Sequence, residues 1–219
     1  MNLLNKARAR NASMARKSFV TKRAEGKLSA LTNLFKAAAG EHWVGTDSGV
    51  LRRTLSFSGF QYLDALQLIY NWENRFTAVN YNLQFISVFN ADNDRFEETG
   101  NCNFKLNCEQ KGLNFKGGRQ YSWQHGQWEA DDAMLEAYLQ RLNNPLILAR
   151  LQTLDIMEME ILHEGGSGRW LLSCESMIGS ATWMLIPPMF TLITPMPDEC
   201  VRFLELFELF GDALVNNKI

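Results

Sequence analysis

Helical spacing of apolar residues recurs in four parts of the chain. It predicts helices over residues 28–38, 60–72 and 129–154, and a last helix that begins near Pro197. Pro145 lies inside the third segment and is expected to kink or divide it, because proline cannot donate to the preceding helical turn. The last helix is apolar around most of its circumference, which predicts contacts on more than one side.

Other segments favour strands. Residues 42–59, 75–89, 101–108 and 113–123 combine apolar residues with turn signals between them. Strands that follow one another through short turns pair antiparallel. Together with the helices, they predict an α+β protein with a largely antiparallel sheet, or sheets, and helices packed on one side.

A further hairpin is predicted around the loop Gly165-Gly-Ser-Gly168. If Glu164 pairs with Arg169 across it, period-two alternation assigns each side chain to a face. One face is then acidic and solvated, and the other is apolar. The predicted apolar face holds Met157, Met159, Ile161, His163, Trp170, Leu172 and Cys174.

The longest uncharged stretch, Ser176 to Pro197, spans 22 residues. A transmembrane helix needs about 20 apolar residues. However, four of the five prolines of the chain lie in this stretch, and proline interrupts helices. We therefore expect no transmembrane segment here but two short buried strands, Thr182–Ile186 and Met189–Ile193, separated by Pro187-Pro188.

Charge is distributed unevenly. Residues 1–60 carry 11 Lys and Arg against 3 Asp and Glu, whereas residues 61–219 carry 11 against 21. This predicts a basic arm over residues 1–27, solvated or disordered, followed by one domain over residues 28–219. Two similar halves, about 28–128 and 129–219, are an alternative because each has strands followed by a helix. The arm includes Arg8, Arg10, Arg16, Lys17, Lys22 and Arg23, which suit nucleic acid or anionic lipid as well as water.

Four cysteines and the lack of an apolar leader segment favour a cytoplasmic protein with free thiols. The histidines and cysteines have no metal-ligand spacing, and no cofactor is predicted. The glycine-rich loop fits neither a nucleophile elbow nor a dinucleotide loop, since Arg169 and a strand follow it. No pattern of catalytic residues therefore indicates an enzyme.

Two groups of residues are candidates for binding. The first is an apolar pocket formed by His163, Trp170, Met157, Met159 and Trp183. The second is an aromatic surface formed by Tyr121, Trp123 and His125, on which nucleic-acid bases could stack. For both groups, ordinary packing in the core is the alternative interpretation.

The C-terminal third resembles an uncharacterised family of gammaproteobacterial proteins. The resemblance lies in Gly168-Arg-Trp170, in Trp183-Met-Leu-Ile-Pro-Pro188 and in Pro197-Asp-Glu-Cys200. It implies a bacterial cytoplasmic protein of unknown function and brings no catalytic motif with it.

These observations lead to three hypotheses about function. The first is a non-enzymatic binding or adaptor protein that recognises a protein partner, with a homodimer as an open alternative. The second is a small-ligand-binding protein, or an unfamiliar enzyme, that uses the apolar pocket near His163 and Trp170. The third is a nucleic-acid-binding protein that acts through the basic arm.

Overall fold

The computed structural model describes residues 19–90, 104–112, 119–125, 132–164 and 167–216. These residues form an α+β fold, as predicted. The strands are β1 (Trp43–Gly49), β2 (Arg52–Phe57), β3 (Ala65–Arg75), β4 (Ala78–Asn90), β5 (Phe104–Lys111), β6 (Gln120–His125), β7 (Ile156–Glu164), β8 (Arg169–Leu185) and β9 (Pro188–Leu192). The helices are α1 (Phe19–Ala39), α2 (Asp132–Leu142), α3 (Pro145–Gln152) and α4 (Pro197–Val215).

The described strands form one antiparallel sheet. Its order is β1-β2-β3-β4-β8-β7-β5-β6, and β9 pairs with the second half of β8. The long β4–β8 pair joins a strand from residues 28–128 to one from residues 129–219. Since β5 and β6 lie beyond β7, strands from the two parts of the sequence alternate within a single sheet.

The helices pack on one side of the sheet, which confirms the predicted arrangement. Phe35 of α1, Phe85 of β4 and Phe203 of α4 meet in the core, with ring centroids 5.4 Å apart for the first two and 4.7 Å for the last two. Each such burial contributes about 1.5–3 kcal/mol. Helix α4 packs on β4 and on the other three described helices, which accounts for its wide apolar surface.

The predicted division of residues 129–154 at Pro145 is confirmed, because α2 ends and α3 begins there. The Asn144 side-chain oxygen accepts a hydrogen bond from the Leu146 N–H at 2.9 Å. This is an N-cap followed by proline at the first helical position, where its missing N–H costs nothing.

The predicted helix over residues 60–72 is wrong. Most of this segment belongs to β3, whose Leu66, Leu68 and Tyr70 are buried on the helix side. Ile69 is buried on the opposite side, in a small cluster with Ile86. Apolar residues on both faces gave the segment a spacing that resembles a helix, and pairing with β2 and β4 overrides that local preference.

The loop before β3 is held by α4. The Glu208 carboxylate accepts hydrogen bonds from the backbone N–H groups of Gln61, Tyr62 and Leu63, at 3.1, 3.1 and 2.6 Å. The Tyr62 hydroxyl also donates to the Asp212 carboxylate at 3.0 Å. Glu208 and Asp212 of α4 therefore bind the loop before β3 to the helix.

Candidate functional site

His163 and Trp170 lie opposite each other on β7 and β8. Their ring centroids are 4.4 Å apart, and both side chains are fully buried. Tyr138 of α2 packs on Trp170 at 4.6 Å between ring centroids. The three rings therefore form an aromatic cluster, with tilted ring planes, in the core between the sheet and α2.

The other three residues of the predicted apolar pocket lie in different surroundings. Met159 is buried on the same face as His163. The β7–β8 register shifts between Ile156 and Glu158, and Met157 in this bulge is 38% exposed, so its predicted place on the apolar face is wrong. Trp183 lies far along β8 from Trp170, a distance of roughly 40 Å in an extended strand.

The aromatic residues of β6 belong to the sheet edge. Tyr121 and Trp123 are buried, and the Trp123 ring packs edge-on against Phe210 of α4 at 5.5 Å. His125 is the last residue of the strand and pairs with Leu106. The rings of Tyr121 and Trp123 therefore contribute to packing between the sheet and the helices.

A cavity of about 790 Å³ lies beside β6 and α2. Its lining residues are Trp123, Gln124, Glu136, Leu139, Gln140 and Asn143. Asn143 is already engaged there, because its side chain accepts from the Trp123 N–H at 2.9 Å and donates to the Trp123 carbonyl at 3.3 Å. The lining combines two apolar side chains, three amides and one carboxylate, a mixture that indicates no particular class of ligand.

Most of the predicted basic arm, including Arg8, Arg10, Arg16 and Lys17, lies outside the described residues. Lys22 and Arg23 lie in the first turns of α1. The Arg23 guanidinium lies over the Phe19 ring at 4.5 Å and over the Trp183 ring at 5.6 Å. The chain therefore enters α1 next to the second half of β8.

The described thiols are poor nucleophiles. Burial raises the pKa of Cys108 and of Cys200 to about 12, and it raises the pKa of Cys174 as well. Thiolate, the reactive form, is therefore scarce at neutral pH. Within the described ranges, no three His, Cys, Asp or Glu side chains converge as metal ligands would.

Two neighbouring hairpins end in exposed apolar residues at the same end of the sheet. Phe76 lies in the turn between β3 and β4, and Ile186 lies in the turn between β8 and β9. Ala78 pairs with Met184, the last pair of the β4–β8 register before these turns, so the two turns lie next to each other. The Leu185 N–H donates to the Thr77 carbonyl at 2.9 Å and ties the two turns together.

The side chains at this end are among the most exposed large apolar groups of the described chain. Phe76 is 99% exposed and Ile186 is 81% exposed, while Leu185 and Met189 are about half exposed. We call these four residues, Phe76, Leu185, Ile186 and Met189, the tip surface. An exposed group of large apolar side chains is typical of an interaction site.

The predicted strand Met189–Ile193 corresponds closely to β9, whereas the predicted strand Thr182–Ile186 is the end of the much longer β8. The prediction that both are buried is wrong. Strand β9 is mostly exposed, and Ile193 just after it is 46% exposed. Strand β9 has only one neighbour in the described sheet, so one of its edges is left without a paired strand. In the described chain, no helix has the length and apolar content needed to cross a bilayer.

Sequence patterns missed the tip surface because apolar residues are normally assigned to the core. A signal was available at Arg75-Phe-Thr77, where an apolar residue falls between two alternating segments. Turns lie on the surface, so a large apolar residue in a turn is exposed.

The fold defines the chain as an α+β protein built on one antiparallel sheet with an exposed apolar end. Residues 33–214 match the model of a family described as "Protein of unknown function (DUF3156)", and the protein belongs to this family. The resemblance to an uncharacterised family is thereby confirmed, and it extends well beyond the C-terminal third. No curated protein and no solved structure match the chain.

Proposed function

We propose that the chain is a non-enzymatic binding protein of the bacterial cytoplasm that recognises a protein partner through the tip surface. The observation that carries this proposal is the exposure of Phe76 and Ile186 in two adjacent turns at one end of the sheet. Burial of each such side chain is worth about 1.5–3 kcal/mol. A partner that covers both gains a large part of the free energy needed for binding.

The composition of the tip surface favours a protein over a charged ligand. Its four residues are apolar, and the nearby Arg75 is paired with Glu73 at 3.2 Å. Interface centres are depleted in charge and enriched in aromatic residues and methionine. Phe76 and Met189 fit that composition.

The alternative hypothesis of an apolar small-ligand pocket has less support. His163 and Trp170 are fully buried and pack against each other, and Met157 and Trp183 lie elsewhere. The nucleic-acid hypothesis depends on the basic arm, residues 1–27, most of which lies outside the described chain. The tip surface is the feature that calls for a binding partner.

Co-purification from cells of the source organism tests this proposal. We expect the wild-type chain to retain a stoichiometric protein partner, and the double variant Phe76→Ser/Ile186→Ser to lose it while its thermal unfolding is unchanged. A matched control, Leu146→Ser, removes an exposed large apolar side chain of α3 outside the tip surface and should retain the partner. Equal recovery by wild type and double variant would contradict the proposal.

A further inference from the structure

The described sheet has three free edges, on β1, β6 and β9. A free edge presents backbone N–H and C=O groups that pair readily with another strand. Proteins usually protect such edges with charges, bulges or covering groups. Two of these three edges have such protection, and the third does not.

The edge of β6 is covered by a side chain. The Asn143 amide takes both backbone hydrogen-bonding groups of Trp123, its oxygen accepting from the N–H and its nitrogen donating to the carbonyl. The amide thus imitates one residue of a neighbouring strand. A second chain cannot pair with Trp123 while Asn143 remains in place.

The edge of β1 is irregular and charged. Its register with β2 shifts between Trp43 and Gly45, which marks a bulge. The Trp43 indole N–H donates to the Gly45 carbonyl at 2.8 Å. Asp47 adds an exposed charge in the middle of the strand. These features oppose the addition of another strand.

In the described structure, strand β9 has no charge, bulge or covering side chain, and its one proline, Pro188, is its first residue. It lies within the uncharged stretch Ser176 to Pro197 and has no described neighbour on its outer side. The Ile193 N–H donates to the Ser180 carbonyl, so the N–H groups alternate in direction along the strand. The N–H and C=O groups of Phe190 and Leu192 therefore point away from β8.

We propose that the protein partner contributes an extended, uncharged segment that pairs with the free edge of β9. This inference rests on the proposed function and names the kind of partner. The added strand would place alternate side chains beside Met189 and Ile193 on one face, and beside the half-buried Phe190 and Leu192 on the other. Apolar side chains on both faces of the segment suit these neighbours.

A second copy of the chain fits this edge less well than a partner's extended segment. Strand β9 has five residues. Stable interfaces between folded proteins bury about 800 Å² on each side, which pairing along so short a strand does not supply. An extended segment needs only the edge and the adjoining tip surface.

Selection from a phage library of random dodecapeptides tests the proposal. Leu192→Pro removes an outward N–H and spares the bonds to β8, whereas Leu192→Ala keeps the N–H and loses similar packing. We expect the selected peptides to contain an uncharged apolar run. They should bind Leu192→Pro about tenfold or more weakly than Leu192→Ala, since one backbone bond is lost and the proline ring obstructs its neighbour.

Amide hydrogen exchange on the wild-type chain provides a second measurement that does not depend on a variant. With a selected peptide bound, the Phe190 and Leu192 amides should become protected, while Thr191 and Ile193 change little because they already face β8. Equal binding to both variants, or peptides that protect only residues 76 and 186, would overturn strand addition and leave the tip surface as the binding site. Peptides that bind Phe76→Ser/Ile186→Ser undiminished and protect neither region would contradict the proposed function itself. Self-association through β9, or binding to anionic lipid vesicles with no selected peptide, would also overturn the pairing of β9 with a partner's segment.

Discussion

Phe76 and Ile186 lie in two adjacent turns, at the ends of hairpins that are more than 100 residues apart in sequence. The β4–β8 pair and the hydrogen bond from the Leu185 N–H to the Thr77 carbonyl hold the two turns together. Neither side chain is buried by the described fold. Substitution of the exposed Phe76 should therefore weaken partner binding, whereas substitution of a core phenylalanine should reduce conformational stability.

The substitution Phe76→Ala should change the free energy of unfolding by less than about 0.5 kcal/mol, because the side chain is exposed. Phe85→Ala, in the core between α1 and α4, should cost about 3–5 kcal/mol. Urea denaturation measures both. A loss above about 2 kcal/mol for Phe76→Ala would mean that Phe76 packs within the fold.

Glu208→Gln should destabilise the chain by about 1–3 kcal/mol, because a neutral amide replaces a carboxylate that accepts from three backbone N–H groups. Glu205→Gln is the matched control on the same helix. Its ion pair with Arg150 is partly exposed, so we expect a loss of about 0.5 kcal/mol or less. Equal losses in thermal unfolding would show that the loop before β3 does not depend on Glu208.

Two glycines should respond in opposite directions to alanine. Gly179 has φ of +85°, and a Cβ there would lie 2.5 Å from the Leu83 side chain, so Gly179→Ala should cost about 1–3 kcal/mol. Gly26 lies inside α1 with open space around it, so Gly26→Ala should stabilise by about 0.5–1 kcal/mol. Chemical denaturation of both variants measures the direction in which the free energy of unfolding changes in each. A stabilised Gly179→Ala would contradict this backbone conformation and the close contact with Leu83.

Cys108, Cys174 and Cys200 should resist alkylation at pH 8 until the chain unfolds, since burial raises the pKa of each thiol. An unfolded thiol has a pKa near about 8.5. A raised folded-state pKa leaves stability intact below that pH and reduces it as the pH rises toward 12, because only the unfolded thiol ionises readily there. Mass spectrometry of a Cys102→Ser variant treated with iodoacetamide, with and without urea, measures the protection. Rapid labelling of the folded variant would contradict it.

The β7–β8 hairpin can be recognised from sequence because the residues that determine it are close together in the chain. The glycine-rich loop predicts the hairpin, and the pairing of Glu164 with Arg169, on which the assignment of faces depended, is present in the structure. The bulge at Met157 depends on distant contacts instead. The Asp155 carbonyl accepts from both the Ser176 hydroxyl and the Met177 N–H, each at 3.0 Å, and these bonds shift the register.

Burial of the uncharged stretch could not be predicted from its composition. A strand is buried on both faces only when layers cover both faces, and local sequence does not report those layers. Strand β9 has one neighbour, so its apolar residues remain exposed. Local sequence likewise did not indicate the complete tip surface, because that surface forms only where two turns distant in sequence lie side by side at one end of the sheet.

Site-specific photo-crosslinking tests partner recognition through the tip surface most directly. Benzoylphenylalanine would replace Phe76 or Ile186 in living cells of the source organism, with the exposed position Glu136 of α2 as the control. We predict one discrete protein adduct, shared by positions 76 and 186 and not formed from position 136. Adducts of equal yield from all three positions, or lipid adducts from positions 76 and 186 with no protein adduct, would contradict recognition of a protein partner by this surface.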